Sequence, residues 1–470
     1  MVISTAESVT VASLVARART AQAVAEHYSQ TQVDHLCAAV AWAIMEPSRN
    51  RALAELAVRD TGLGNVADKI QKNHRKTLGL MRDLRGAKSV GVISENAATG
   101  ITEIARAVGV VGAITPSTNP GATPANMMIN AMKGRNAVIL APSPKGASTA
   151  ELLLQFVHAE FDRIGAPHDL VQVLPSPVSK ALTYELLQQV DLVVATGSQA
   201  NIRAAYSSGT PAFGVGAGNV AVIVDASADV VAASACIVRS KTFDNATSCS
   251  SENSVVIVDA VYDAMIAALT ACGCVLLSAA EKAQLQQVMF PAGKLSASVT
   301  AKSAGEIAAI AGLDRAASAR VLLVEETGSG ELYPFSGEKL SPVMTIYRAA
   351  DFNTAAERVS EIYAYQGAGH SVGIHAAVDR VDALALKLGL RLPVARVIVN
   401  QAHCIATGGS FDNGLPFSLS MGCGTWGGNN FSDNLTYKSF LNITRIAHPI
   451  AEQLPDESAL FAEYFSLVNR

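Results

Sequence analysis

The chain of 470 residues carries a net charge of −4; half of its residues are apolar and 16% are charged. That balance suits a globular protein with room for about three domain-sized units and excludes a disordered chain. There is no basic tail or Lys/Arg run, so nucleic acid and anionic membranes are not expected partners, and no apolar run reaches the roughly 18 residues of a membrane span.

The start shows no basic region followed by an apolar core, so no signal peptide is expected. Cys37, Cys236, Cys249, Cys272, Cys274, Cys404 and Cys423 form an odd, scattered set. Such a set suits reduced thiols in the cytoplasm better than a disulfide framework. Cys272-Gly-Cys274 has no companion His or Cys pair, and no metal site is expected.

Residues 5–85 place apolar residues at helical spacing and predict a helical preface. Two extended runs around a Gly-bearing turn follow, predicting a hairpin arm at 88–104. From residue 108 apolar runs alternate with helical segments. The runs are 108–115, 137–141, 170–174, 192–195 and Val220–Val224; the helices are Ala122–Lys133, 148–164, 179–189 and Gln199–Tyr206. Apolar strands without polar alternation, separated by helices, predict a parallel sheet covered on both faces, with ligands beyond the strand C-terminal ends. A second αβ series runs from Ser227 to about Val399, and 421–434 is a glycine-rich loop.

Within the second series, Cys249 lies in a run of small polar residues before an apolar strand. Small neighbours leave its sulfur open, and the run offers backbone N–H groups to an oxyanion, as a thiolate nucleophile requires. A lone cysteine is also a common small core residue.

Eight segments occur in an order that matches a known family. They are Ile114-Thr-Pro-Ser-Thr-Asn-Pro120, Asn136-Ala-Val-Ile-Leu-Ala-Pro-Ser-Pro-Lys145, Thr196-Gly-Ser198, Phe213-Gly-Val-Gly-Ala-Gly-Asn219, the Cys249 segment, Gly337-Glu-Lys-Leu-Ser-Pro-Val343, Gly367-Ala-Gly-His-Ser371 and Gly422-Cys-Gly-Thr-Trp-Gly-Gly428. In these the chain resembles the CoA-acylating branch of the aldehyde dehydrogenase superfamily over nearly its whole length. The resemblance implies an α/β fold: a Rossmann-type cofactor domain at 1–87 and 105–226, and a catalytic domain at 227–420. Residues 88–104 and 435–470 then form an oligomerisation arm and tail, in a homo-oligomer (dimer or tetramer).

The resemblance also implies the chemistry. Cys249 adds to a small aldehyde, and the resulting oxyanion ejects hydride to a nicotinamide, leaving a thioester. Hydrolytic relatives carry a water-activating Glu in the stretch that reads Gly214-Val-Gly-Ala-Gly218 here. Without that base, coenzyme A is the expected acceptor of the acyl group. Pro116, Thr118, Gly197, Ser198 and Gly216 are expected around the nucleotide, with Glu338 on the nicotinamide ribose. Ser198 could equally be an ordinary helix cap. Lys145, with no acidic residue in 141–146, favours NADP, with NAD possible. His370 is expected to orient substrate or manage a proton. Asn119, Thr118 and the Cys249 backbone N–H all remain candidates for the oxyanion hole. Hydroxyls on Thr247, Ser248, Ser250 and Ser251 suit an anionic tail. Sulfoacetaldehyde is the expected substrate; the alternatives are an acylating dehydrogenase for acetaldehyde or succinate semialdehyde, or a hydrolytic aldehyde dehydrogenase.

Overall fold

The helical preface folds as four helices, Thr5–Ala25, Gln30–Met45, Pro47–Thr61 and Val66–Leu84, in a computed structural model that describes residues 5–216 and 218–468. Local chemistry sets their ends. Ser29 and Gln32 form a capping box at the start of the second helix, and Gly62, at φ +68°, ends the third in the left-handed conformation that glycine adopts most cheaply. Val33, Leu36, Val40 and Ile44 of the second helix are buried, and the helix packs on Ala122–Lys133.

The arm is the expected hairpin: β1 (Gly91–Asn96) pairs antiparallel with β2 (Ile101–Ala107). Asn96 closes the turn, its Oδ1 accepting from the N–H groups of Ala98 and Thr99.

β3 (Val110–Thr115), β4 (Ala137–Pro142), β5 (Val171–Val173), β6 (Leu192–Thr196) and β7 (Ala212–Val215) form a parallel sheet in the order β5-β4-β3-β6-β7. Every residue of β3 and β4 is buried, as helices on both faces require. The winding reverses between β3 and β6, and a crevice opens at their C-terminal ends.

β8 (Val220–Val224), β9 (Glu252–Val258), β10 (Cys274–Leu276), β11 (Val321–Glu325), β12 (Val343–Ala349), β13 (Val372–His375) and β14 (Val397–Val399) form a second sheet, ordered β10-β11-β12-β9-β8-β13-β14. All its pairings are parallel. Side chains of β9 alternate between its two cores, with Val256 and Val258 on one face and Val255 and Ile257 on the other. Here the structure corrects the sequence expectation: residues 220–224 do not complete the first sheet but lie at the heart of the second. An apolar run fits either sheet equally well, and hydrophobicity alone says nothing of its partners.

The chain passes from the C-terminal end of β7 to the N-terminal end of β8 through residues 216–219 alone. The C-terminal edge of the first sheet therefore meets the N-terminal edge of the second. β15 (Leu441–Ala447) returns to pair with β2, widening the arm to three strands. Among the described residues no helix is long and apolar enough to cross a membrane.

Candidate active site

Cys249 stands between helix Val230–Thr242 and β9. The turn leading to it is unusual: Asp244, Asn245 and Ala246 have φ of +50°, +51° and +56°. Each non-glycine residue in that region costs about 1–2 kcal/mol. Ionic contacts and hydrogen bonds offset the strain. The buried Asp244 carboxylate accepts from Lys72 Nζ at 2.6 Å, Lys69 Nζ at 3.1 Å and the Asn65 N–H at 3.0 Å. Burial pushes the Asp244 carboxyl up, but Lys72 and Lys69 outweigh it and hold the group below the usual range. A Cβ on Gly64 would lie 1.9 Å from Asp244 Oδ1, so glycine is required beneath this turn.

The thiol meets a histidine. Cys249 Sγ lies 3.4 Å from His370 Nε2. His370 Nδ1 is 2.7 Å from Ser371 Oγ, which is 2.8 Å from His403 Nε2. A Cβ on Gly218 would come within 2.6 Å of the Cys249 carbonyl oxygen and 2.9 Å of His370 Cδ2, so only glycine permits this approach. Burial, aided by the Glu338 charge, pushes the thiol up to about 12. Burial and the Arg396 charge pull the imidazole down to about 3. Both partners are therefore neutral at pH 7. Arg396 holds the histidine loop by donating to the carbonyls of His370 and Gly422 and to Asn434 Oδ1.

The expected site residues come from both sheets. Pro116, Thr118 and Asn119 follow β3, and Gly197 and Ser198 follow β6, so both sets flank the β3–β6 crevice. Asn119 Oδ1 accepts from Lys72 Nζ at 2.8 Å, and the Thr118 carbonyl accepts from Lys69 Nζ at 3.1 Å. With its oxygen taken, Asn119 has its amide N–H groups left to donate. Ser198 Oγ accepts from the Asn201 N–H at 3.3 Å and so caps helix Gln199–Tyr206. A Cβ on Gly216 would lie 2.4 Å from Gln199 Nε2. Lys145 stands apart on the exposed turn Pro144–Gly146 after β4. Glu338 accepts from the Gly218 N–H, and burial pushes its carboxyl up to about 7.

In the second sheet the expected site residues and Gly218 lie before strands and not after them. Gly218 precedes β8, Cys249 β9, Glu338 β12 and His370 β13. The edge that faces the first sheet is the N-terminal one, which inverts the usual rule for ligand placement.

Sequence reasoning missed Lys69, Lys72 and Asp244 beneath Cys249, and Ser371 and His403 behind His370. Asp244-Asn245 is a usable signal, since these residue types tolerate left-handed backbone best. The two lysines carry none. Together the thiol, a neutral base and N–H donors can drive nucleophilic addition to a carbonyl.

The aldehyde dehydrogenase family model matches residues 1–334. The chain is 67% identical over 462 residues, 98% of its length and 93% of the relative's, to the sulfoacetaldehyde dehydrogenase (acylating) of Cupriavidus necator. It is 42% identical over 449 residues, 94% of its length and 96% of the relative's, to the sulfoacetaldehyde dehydrogenase (acylating) of Bilophila wadsworthia. The crystal structure of an acetylating aldehyde dehydrogenase from Geobacillus thermoglucosidasius superposes with a TM-score of 0.91 at 33% identity, covering 96% of this chain and 98% of that one.

Proposed function

The chain belongs to the aldehyde dehydrogenase family, and from that premise we propose that it oxidises sulfoacetaldehyde to sulfoacetyl-CoA with a nicotinamide dinucleotide, through a thioester on Cys249. One observation carries the acylating reading over the hydrolytic one. Where a water-activating carboxylate would be needed, a Cβ on Gly214 would lie 2.8 Å from Ile202 Cγ2 and 3.0 Å from Tyr206 Cε2. Tyr206 also bridges the Gly214 backbone, donating to its carbonyl and accepting from its N–H. Position 214 has neither a base nor space for one, so water attack is slow and a thiol takes the acyl group.

The 3.4 Å contact lets His370 Nε2 take the thiol proton as sulfur adds to the carbonyl carbon. The Asn119 amide and the Cys249 backbone N–H donate to the oxyanion. The nicotinamide, when bound, accepts the hydride released as the oxyanion collapses to the thioester. The crevice fits that cofactor, with helix Gln199–Tyr206 opening from Gly197 and Ser198 at its edge and Gly216 keeping the wall low. Pro116 and Thr118 would line it, and Glu338 would hold the ribose. CoA thiolate then displaces Cys249 from the thioester, and the balance is aldehyde plus CoA plus oxidised dinucleotide to acyl-CoA, reduced dinucleotide and a proton.

NADP is the preferred nucleotide. Lys145 is the charged residue of 141–146, where a ribose 2′-phosphate needs a cation and a free 2′-hydroxyl needs a carboxylate. The assembly is a homo-oligomer built through the three-stranded arm, whose exposed edges invite a second copy. Reduced-dinucleotide formation in the presence of CoA tests the substrate and cofactor together. The expected order of kcat/KM is sulfoacetaldehyde over acetaldehyde and NADP over NAD. Acetaldehyde ahead would discard the sulfonate and keep the mechanism.

A further inference from the structure

We infer that Arg75 and Arg239 are the receptor for the anionic tail of the aldehyde, above the two serines that flank Cys249; this rests on the acylating reading and names what selects its substrate. A pocket is lined by Ser248 and Ser250, the neighbours of Cys249 in the chain, and by Asn119. Its ionised lining elsewhere is basic: Lys72, Arg75, Lys76 and Arg239. Cations converging on one cavity repel, and the arrangement is stable only if each finds an anion or a set of acceptors.

Two of the four are already engaged. Lys72 is bound by Asp244, Asn119 and Thr247. Lys76 donates to the carbonyls of Gly408 at 2.9 Å and Gly409 at 3.0 Å, and burial pulls it down to about 7, so at neutral pH its charge is partial. Arg75 and Arg239 are different. Arg75 donates through Nη2 to Ser410 Oγ at 2.7 Å and lies over the Phe411 ring, while its Nε is buried without an acceptor. Arg239 is exposed in the last turn of helix Val230–Thr242. Neither is in an ion pair among the described residues. Their charges oppose each other, and the carboxylate they share at a distance is Asp412, which Ser410 holds ionised.

A guanidinium has five N–H donors in a planar fork, and a sulfonate has three acceptor oxygens and a permanent negative charge. The two fit as charge-assisted partners. Ser248 Oγ and Ser250 Oγ lie 2.7 Å apart, so one hydroxyl proton between them satisfies the pair and the other is left to donate. A neutral alkyl tail would displace water from the arginines without replacing its hydrogen bonds, which selects against it.

The test is the ratio of kcat/KM for anionic over neutral aldehydes, measured with saturating CoA and NADP for sulfoacetaldehyde, succinate semialdehyde and propionaldehyde. Arg75→Met is expected to lower that ratio about a hundredfold, Arg75→Lys less, because it restores charge without the fork. Arg239→Met, at an exposed position where folding is not at risk, is expected to lower it about threefold to tenfold and to weaken the salt dependence of KM. Proportional losses on all three aldehydes, leaving the ratio unchanged, would make the arginines structural and overturn the receptor. Wild-type protein that turns over the succinate aldehyde and not the sulfonate would remove sulfoacetaldehyde as substrate, while a collapsed ratio in Arg75→Met would keep the receptor. A wild-type ratio at or below one for both anions overturns it.

Discussion

Cys249 and His370 meet as neutral partners, and this sets how the thiol reacts before any ligand arrives. A thiol pushed up to about 12 is a thiolate only in trace amounts at pH 7, and an imidazole pulled down to about 3 holds no extra proton at rest, so it takes the thiol proton only as sulfur adds to the carbonyl. Alkylation of Cys249 in the ligand-free protein, followed on its own peptide by mass spectrometry, should therefore rise about tenfold per pH unit from pH 7 to 10, without a plateau. A plateau at pH 6–8 would show a preformed thiolate–imidazolium pair and contradict this account. Cys249 and His370 were legible in the sequence because each sits in a short motif of small residues. The 3.4 Å contact between them was not, since they are 121 residues apart.

At the scale of elements, the turn before Cys249 is held from below by helix Val66–Leu84. Asp244→Ala would leave Lys69 and Lys72 buried without their counter-charge and remove the anchor of a left-handed turn. The expected loss is about 3–5 kcal/mol, measured as a shift in urea midpoint; a loss below about 1 kcal/mol would mean the turn holds itself. The glycine wall makes the opposite kind of prediction. Gly214→Glu should not create CoA-independent turnover, because Ile202 and Tyr206 occupy the side chain's path, and overpacking should destabilise the protein by about 1–3 kcal/mol. Steady turnover without CoA in this variant would show that the wall yields. The absent carboxylate could be read from Gly214-Val-Gly-Ala-Gly218, but the reason glycine stands there could not: it lies in the packing of Ile202 and Tyr206 from the following of β6 by helix Gln199–Tyr206. The lysines beneath the turn gave no sequence signal, because Lys72 on an amphipathic helix looks like any solvated lysine until Asp244, 172 residues on, is folded over it.

For the whole molecule, the strands and helices were legible and their assembly was less so. Apolar runs and helical spacing mark the elements of a parallel sheet, but pairing is a three-dimensional choice, and 220–224 changes sheets on the strength of residues 216–219. That short link also explains why the site gathers at the C-terminal edge of one sheet and the N-terminal edge of the other. The proposed assembly through arm and tail rests on exposure: the tail beyond β15 carries Ile450, Leu454, Phe461 and Leu467 in the open. If the proposed homo-oligomer forms, removing residues 448–470 should give a smaller assembly than the full chain by light scattering at micromolar concentration; an unchanged mass would take the tail out of the interface.

The most direct measurement is reduced-dinucleotide formation from sulfoacetaldehyde with and without CoA, in the wild type and in Cys249→Ala. A single burst of about one equivalent per active site without CoA, steady turnover once CoA is added, and neither in Cys249→Ala would match a thioester that only a thiol can discharge. Steady turnover without CoA, or activity that survives Cys249→Ala, would contradict it.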